Sequence, residues 1–361
     1  MPPGTHEGVG LDDWAHFGRV DKSDLLGRVE AFAQDLAAGW NAARKAAPSF
    51  RKGGRFVSSV IVAGMGGSAI SGEIVADAFR GHLPVPMAVV QDYGLPAFAR
   101  RETFVIVSSY SGGTEETLSM FEDALRRGCR IVGITSGGEL KRRLKEEGLP
   151  CFALPGGVQP RAALPFLLPP VVESLARAEL ITPKEAMEES IAVAGKIAGA
   201  CARARPLRSN KAKRVADALA GGTPVVFGEG VLRAAALRWR TQFNENPKVI
   251  ARDDMFPASN HNDINAWGLD GRAGEFRVVL LRDPKGHPRT ARRTELTKKL
   301  ALRGNAGGII EVEATGETAL ARCISAVVLG DLASVYLAIK LGVDPTPVEV
   351  ISRLKAELAK S

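Results

Sequence analysis

The sequence predicts an α/β protein made of two doubly wound parallel-sheet domains, each an α/β/α sandwich, on three observations. Apolar β-type runs alternate with helical stretches from Phe56 onward. The alternation lapses over a helical and basic stretch near residue 200 and then restarts. Glycine- and hydroxyl-bearing loops follow the first and third strands of the first half, where parallel sheets bind ligands. At 361 residues the chain is long enough for two domains of ordinary size.

After a polar N-terminal stretch, Leu25, Leu26, Val29, Phe32, Leu36 and Trp40 recur at helical spacing over Leu25–Ala46. Val57–Ala63 is the first strand and leads through Gly64-Met65-Gly66-Gly67-Ser68 into a helix at Ala69–Phe79. Pro86–Val90 is a second strand. Phe104–Ser108 is a third, and its loop runs into a helix ending near Arg127-Gly128. Arg130–Thr135, a basic helix at Glu139–Glu147 and a fifth strand at Pro150–Leu154 complete the first half. Leu167–Ala202 reads as largely helical. Pro224–Phe227 then leads through Gly228-Glu229-Gly230 into a helix at Leu232–Phe243. Phe276–Leu281 precedes Arg282-Asp283 and a helix over residues 290–303, and Gly308–Val312 precedes a helix at Leu320–Leu341. The expected division is an extension and helix over 1–50, a first domain over 51–202 and a second over 203–361. The halves read as distant copies of one unit, by topology rather than by identity.

Strand–helix alternation implies right-handed crossovers and a parallel sheet covered on both faces. The loop Ser109-Tyr110-Ser111-Gly112-Gly113-Thr114-Glu115-Glu116-Thr117 sits beyond the third strand. Glycine lets a backbone approach an anion, and hydroxyls and helix N-terminal N–H groups donate to phosphate oxygens. The loop holds no lysine or arginine, so uncharged donors would do the work, which suits a monophosphate on a small molecule. Gly64-x-Gly66-Gly67-Ser68 fits a shared phosphate site or a tight turn with no ligand. No acidic residue ends the next strand convincingly, since Asp92 is too polar-flanked, and no Gly-Lys-Ser/Thr occurs. Dinucleotide and P-loop readings therefore fail.

Three further segments carry chemistry. In Asn244-Glu245-Asn246-Pro247, proline ends the helix near Asn246, so Glu245 sits in a last turn whose dipole disfavours its charge. A carboxylate kept there reads as a base, or as an exposed glutamate on a fraying helix end. His261 lies in the polar loop Ser259-Asn260-His261-Asn262-Asp263 and has no second histidine at ligand spacing, which argues against a metal. His287 reads as a turn residue. Arg161 follows the rigid turn Pro155-Gly156-Gly157-Val158-Gln159-Pro160 and is placed to reach the mouth of the hydroxyl loop.

Composition excludes other classes. The net charge of +8 favours anionic ligands, but basic residues are scattered. The one dense cluster, Arg203 to Arg214, lacks interleaved aromatics and reads as a solvated helix face and connector, not a nucleic-acid surface. Cys129, Cys151, Cys201 and Cys323 are widely spaced and signal neither disulfides nor a zinc site. The segment Met1–His6 lacks a signal-peptide pattern, and no apolar run reaches the roughly 20 residues of a membrane span, so a cytoplasmic protein is expected.

Together these segments, with Asp344-Pro345-Thr346-Pro347-Val348 and Leu354-Lys355, resemble the bifunctional phosphoglucose/phosphomannose isomerases, two-domain members of the sugar isomerase (SIS) superfamily. The resemblance implies phosphate on Ser109, Ser111 and Thr114, with Gly67 and Ser68 beside it. Glu245 is then the base moving a proton between C1 and C2. His261, from the neighbouring subunit of a homodimer, and Lys355 open the ring, and Arg161 stabilises enediolate charge. Thr346 is the candidate for tolerating the C2 epimer. The site would lie between the two domains, take sugar phosphates and need neither cofactor nor metal. A non-catalytic sugar-phosphate sensor, or an SIS isomerase for another phosphosugar, is the alternative; a sensor needs no base.

Overall fold

The computed structural model describes residues 9–46, 57–268, 273–304, 306–358 and 360. The leader segment Met1–His6 and the boundary expected at residue 50 lie outside them. The chain forms two compact units, Ala31–Gly195 with Thr315–Ser325, and Met1–Glu30 with Lys196–Ala314 and Ala326–Ser361.

Over residues 9–24 a few apolar side chains anchor the chain. Phe17 and Val20 are buried, and Phe17 packs edge-on against Tyr336. The Asp21 carboxylate accepts the N–H groups of Leu25 and Leu26, both at 2.8 Å, and starts α1 (Leu25–Glu30). Helix α2 (Phe32–Ala46) follows after a break at Ala31, which the unbroken apolar spacing does not reveal.

The unit containing Ala31–Gly195 is built on β1 (Ser59–Ala63), α3 (Gly67–Ala78), β2 (Met87–Val90), β3 (Thr103–Ser108), α4 (Glu115–Arg126), β4 (Arg130–Thr135), α5 (Gly138–Glu146) and β5 (Cys151–Ala153). Every strand pair is parallel, in the order β2-β1-β3-β4-β5. Strands β1 and β3 are buried throughout, as their unbroken apolar runs require of strands covered on both faces. Ile61, Val105, Val107, Phe121, Leu140 and Leu144 form one side of the core. The expected helical stretch Leu167–Ala202 is two helices, α6 (Leu164–Arg177) and α7 (Lys184–Ala200). Glu179 turns the chain between them at φ +60°, and Leu180 N–H closes back on Leu175 O at 3.0 Å.

The second unit contains α8 (Lys211–Leu219), β6 (Thr223–Glu229), α9 (Arg233–Glu245), β7 (Arg252–Phe256), α10 (Ile264–Trp267), β8 (Phe276–Arg282), α11 (Pro288–Thr297), β9 (Gly308–Glu313), most of α12 (Ala319–Lys340) and α13 (Glu349–Leu358). Its parallel sheet runs β7-β6-β8-β9, repeating the order of the first four strands of the other sheet. Strands β6 and β8 thus correspond to β1 and β3. Strand β7 is unexpected from sequence because Arg252-Asp253-Asp254 lacks any apolar pattern. It lies at a sheet edge, where Asp253 pairs with Arg240 at 2.6 Å and Asp254 with Arg252 at 3.3 Å. The helix expected over 290–303 starts at Pro288, stops at Thr297 and continues as a wider π-type turn over Lys298–Leu302.

Two expectations from composition are refined. The basic cluster is not wholly a solvated face: Lys213 is fully buried, and its ammonium donates to the carbonyls of Arg203 at 2.8 Å and Arg205 at 2.7 Å. Helix α12 is long and apolar enough to cross a membrane, but 94% of that window is buried inside the protein, as in a core helix. The four cysteines are free, and His287 caps α11 by accepting Arg289 N–H at 3.1 Å.

Candidate active site

The carboxyl ends of β1 and β3 carry the two loops singled out in the sequence. Tyr110 N–H donates to Ser68 Oγ at 3.2 Å, joining them. Ser109 Oγ donates to the Thr114 hydroxyl at 3.1 Å and accepts Gly112 N–H at 3.1 Å. Thr114 is the N-cap of α4, yet its side chain makes no capping bond and turns to Ser109 instead. The first amides of α4 are therefore not capped by the Thr114 side chain. Ser111 is exposed, and its Oγ accepts only a long bond of 3.4 Å from Gly113 N–H.

Two glycines are required by space. Gly112 has φ +71°, and a Cβ there would stand 1.8 Å from Gly137 O. A Cβ on Gly67 would lie 2.8 Å from Pro160 O and 3.6 Å from Arg161 Cα. The second contact brings the Arg161 backbone against the first glycine loop, whereas the sequence reading aims Arg161 at the mouth of the hydroxyl loop. Arg161 is itself buried.

Tyr110, to which sequence reasoning assigns no role, links all three segments. Its phenol donates to Pro155 O at 2.8 Å and accepts Val158 N–H at 3.0 Å. Its carbonyl accepts the Ser136 hydroxyl at 2.6 Å and Ser136 N–H at 3.0 Å. The only signal in the sequence is an aromatic side chain between two serines. Ser68, Ser109 and Thr114 are thus joined through Tyr110 and Gly112, with Gly67 packed on the Arg161 backbone and Ser111 at the exposed side of the loop.

In the other unit, Glu245 is the last residue of α9, half-buried at a helix C-terminus. A seam of residues four apart locks that helix to α12. Arg238 reaches the Asp331 carboxylate through Nε at 2.8 Å and Nη2 at 2.6 Å. Gln242 Nε2 donates to Asp331 at 3.1 Å, and Asn246 Nδ2 to Ser334 Oγ at 2.8 Å. Burial pushes the Asp331 carboxyl up, with Arg238 and Gln242 opposing it. Trp239 Nε1 adds a bond to Ala326 O at 2.8 Å. Beyond the helix, Lys248 adopts φ +56°, a left-handed conformation that costs an L-residue about 1–2 kcal/mol.

Thr346 is half-buried, and its N–H donates to Asp344 Oδ1 at 3.0 Å. His261 is exposed on the 3-10 turn Ala258–His261 that follows β7. Asp263 beside it is tied to Arg252 and accepts Trp267 Nε1 at 2.7 Å. Lys355 is exposed on α13, a helix with no buried residue. Among the described residues no three His, Cys, Asp or Glu side chains converge as a metal site.

The carboxyl end of the second sheet differs from its counterpart. Glu229, at the end of β6, is 2% exposed and accepts Arg282 Nε at 3.0 Å, Asp283 N–H at 3.0 Å and the Thr294 hydroxyl at 3.1 Å. Arg282 also pairs with Glu295 at 2.6 Å and Glu311 at 2.8 Å. Where the first sheet ends in hydroxyls and amides, this one ends in donors already taken by a carboxylate of the chain.

A family model described as the bacterial phospho-glucose isomerase C-terminal SIS domain matches residues 208–358. The chain is 37% identical over 307 residues to the bifunctional phosphoglucose/phosphomannose isomerase of Caldicellulosiruptor bescii, covering 84% of this chain and 90% of that one. Its counterpart in Aquifex aeolicus is also 37% identical over 307 residues, covering 83% and 90%. Among solved structures, a hypothetical protein from Thermus thermophilus has the same fold, with TM-score 0.74 and 16% identity over 97% of this chain and 95% of that one.

Proposed function

This chain belongs to the bifunctional phosphoglucose/phosphomannose isomerase family, and we propose that it interconverts glucose 6-phosphate and mannose 6-phosphate with fructose 6-phosphate through a cis-enediol. The observation that supports this most is the cluster of uncharged donors at Ser68, Ser109 and Thr114, with Gly67 packed on the Arg161 segment. Such donors hold a phosphate without a charge clamp, and Arg161 supplies positive charge beside them.

In this reading His261, supplied by a second copy of the chain in a homodimer, and Lys355 open the sugar ring. The exposure of both side chains suits groups that meet their substrate in an assembly. Glu245 then removes the proton on C2 of the open aldose, or on C1 of the ketose, leaving an enediolate. A proton moves between O1 and O2, and Glu245 returns its own to the other carbon, so no oxidant or reductant is consumed. Arg161 stabilises the enediolate oxygen, as a fixed cation does for any developing oxyanion. C2 is planar in the enediol, so one base delivering a proton to either face serves both epimers. Thr346 is the side chain we assign to accommodating the two C2 configurations.

Purified protein supplied with fructose 6-phosphate is expected to yield both aldose phosphates. Glu245→Gln is expected to abolish turnover with binding largely kept. Formation of neither aldose, or near-wild-type kcat in the variant, would overturn the proposal.

A further inference from the structure

The turn behind Glu245 is held by a lysine in a backbone conformation that glycine or asparagine adopts more readily. What lysine adds is its ammonium. Lys248 Nζ donates to Asn246 O at 3.2 Å, to Asp344 O at 2.8 Å and to Pro345 O at 3.1 Å. An ammonium has three N–H donors, and here three carbonyls are in reach. Asn246 directly follows Glu245, and its own side chain is fixed on Ser334. Pro345 directly precedes Thr346, whose N–H is held by Asp344. One side chain therefore ties the helix end that carries Glu245 to a segment about a hundred positions later in the chain.

We propose that Lys248 is a positioning residue for the isomerisation, holding the Glu245 turn and the 344–346 segment as one body. This rests on the reading of Glu245 as the base. These three bonds go to backbone carbonyls, and through them Lys248 acts on where Glu245 and Thr346 stand. A base displaced from its near-attack position loses rate more than affinity, because the phosphate is held elsewhere.

Lys248→Met keeps the aliphatic stem and removes the donors, while Lys248→Gly removes the side chain and suits the left-handed backbone, which protects the fold. Amide exchange at Thr346 and steady-state kinetics on fructose 6-phosphate are measured on both, with Glu245→Gln in parallel. The expected result is Thr346 exchange faster by about tenfold, kcat lower by about tenfold and KM within about twofold. Unchanged exchange in both variants would overturn the clamp. Faster exchange with kcat within about twofold of wild type would reduce it to a structural tie and overturn the positioning role. Wild-type kcat in Glu245→Gln would instead overturn the base assignment, an outcome read independently of the Lys248 variants.

Discussion

The Tyr110 phenol donates to Pro155 O at 2.8 Å while the Tyr110 backbone N–H donates to Ser68 Oγ at 3.2 Å. One buried residue therefore bonds both the first glycine loop and the segment leading to Arg161. Tyr110→Phe leaves Pro155 O and Val158 N–H without their partner, which costs about 1–3 kcal/mol. We expect a lower melting temperature and kcat reduced by about tenfold through displacement of Arg161, with KM for the sugar phosphate little changed. Thermal unfolding and initial-rate kinetics check both halves.

Ser109 accepts Gly112 N–H and donates to Thr114, so it both shapes the hydroxyl loop and lies in the proposed phosphate cradle. A hydrogen bond to a charged group contributes about 1.5–3 kcal/mol, so Ser109→Ala is expected to raise KM by at least about tenfold. Exposed Ser111 makes a single long bond within the loop, so Ser111→Ala should raise KM while barely moving the melting temperature. An unchanged KM in both variants would remove the phosphate from this loop.

Glu229 occupies the second sheet's equivalent of the ligand end. Glu229→Ala strips Asp283 N–H of this acceptor and leaves the Thr294 hydroxyl with Thr290 O alone, while Arg282 keeps Glu295 and Glu311. Removing one partner of a buried ion pair typically destabilises by about 3–5 kcal/mol, and the retained partners put this case near the lower end. Urea unfolding of the variant measures it. Acetate, a small carboxylate, is expected to restore part of the loss in the variant and to leave the wild type unmoved.

Much of the fold was legible because covered parallel strands must be apolar throughout and because glycine marks the turns at their ends. The run at Val57–Ala63 contains β1, the run at Phe104–Ser108 covers β3 except for Thr103, and the restart at Pro224 marks β6. Strand β7 was hidden because an edge strand tolerates Asp253 and Asp254 once Arg240 and Arg252 pair with them. The packing of Gly67 on the Arg161 backbone was not legible, since a close backbone approach to a glycine depends on how two distant turns meet. Nor were Tyr110 and Lys248, because each acts through partners distant in sequence, Pro155 for one and Asp344 for the other. Hydrogen bonds to backbone carbonyls leave no pattern in side-chain types.

Asp123 gives a pH signature independent of the active site. Burial opposes its charge, but Arg127, Arg126 and Leu95 N–H outweigh that and hold the carboxyl down at about 2. A group depressed in the folded state stabilises fully above its unfolded value near 4, and that stabilisation is lost as pH falls toward 2. Melting temperatures across pH 5 to 2 are expected to drop more steeply in wild type than in Asp123→Asn. Parallel curves would show that the carboxylate contributes nothing to folding.

Mannose 6-phosphate carrying deuterium on C2 tests the proton-transfer chemistry most directly when turned over by protein dialysed against EDTA. A carboxylate base that lifts this hydrogen as a proton is expected to lose part of the label to water, with turnover abolished in Glu245→Gln. Complete delivery of the deuterium to C1 of fructose 6-phosphate, with none in the solvent, would contradict it.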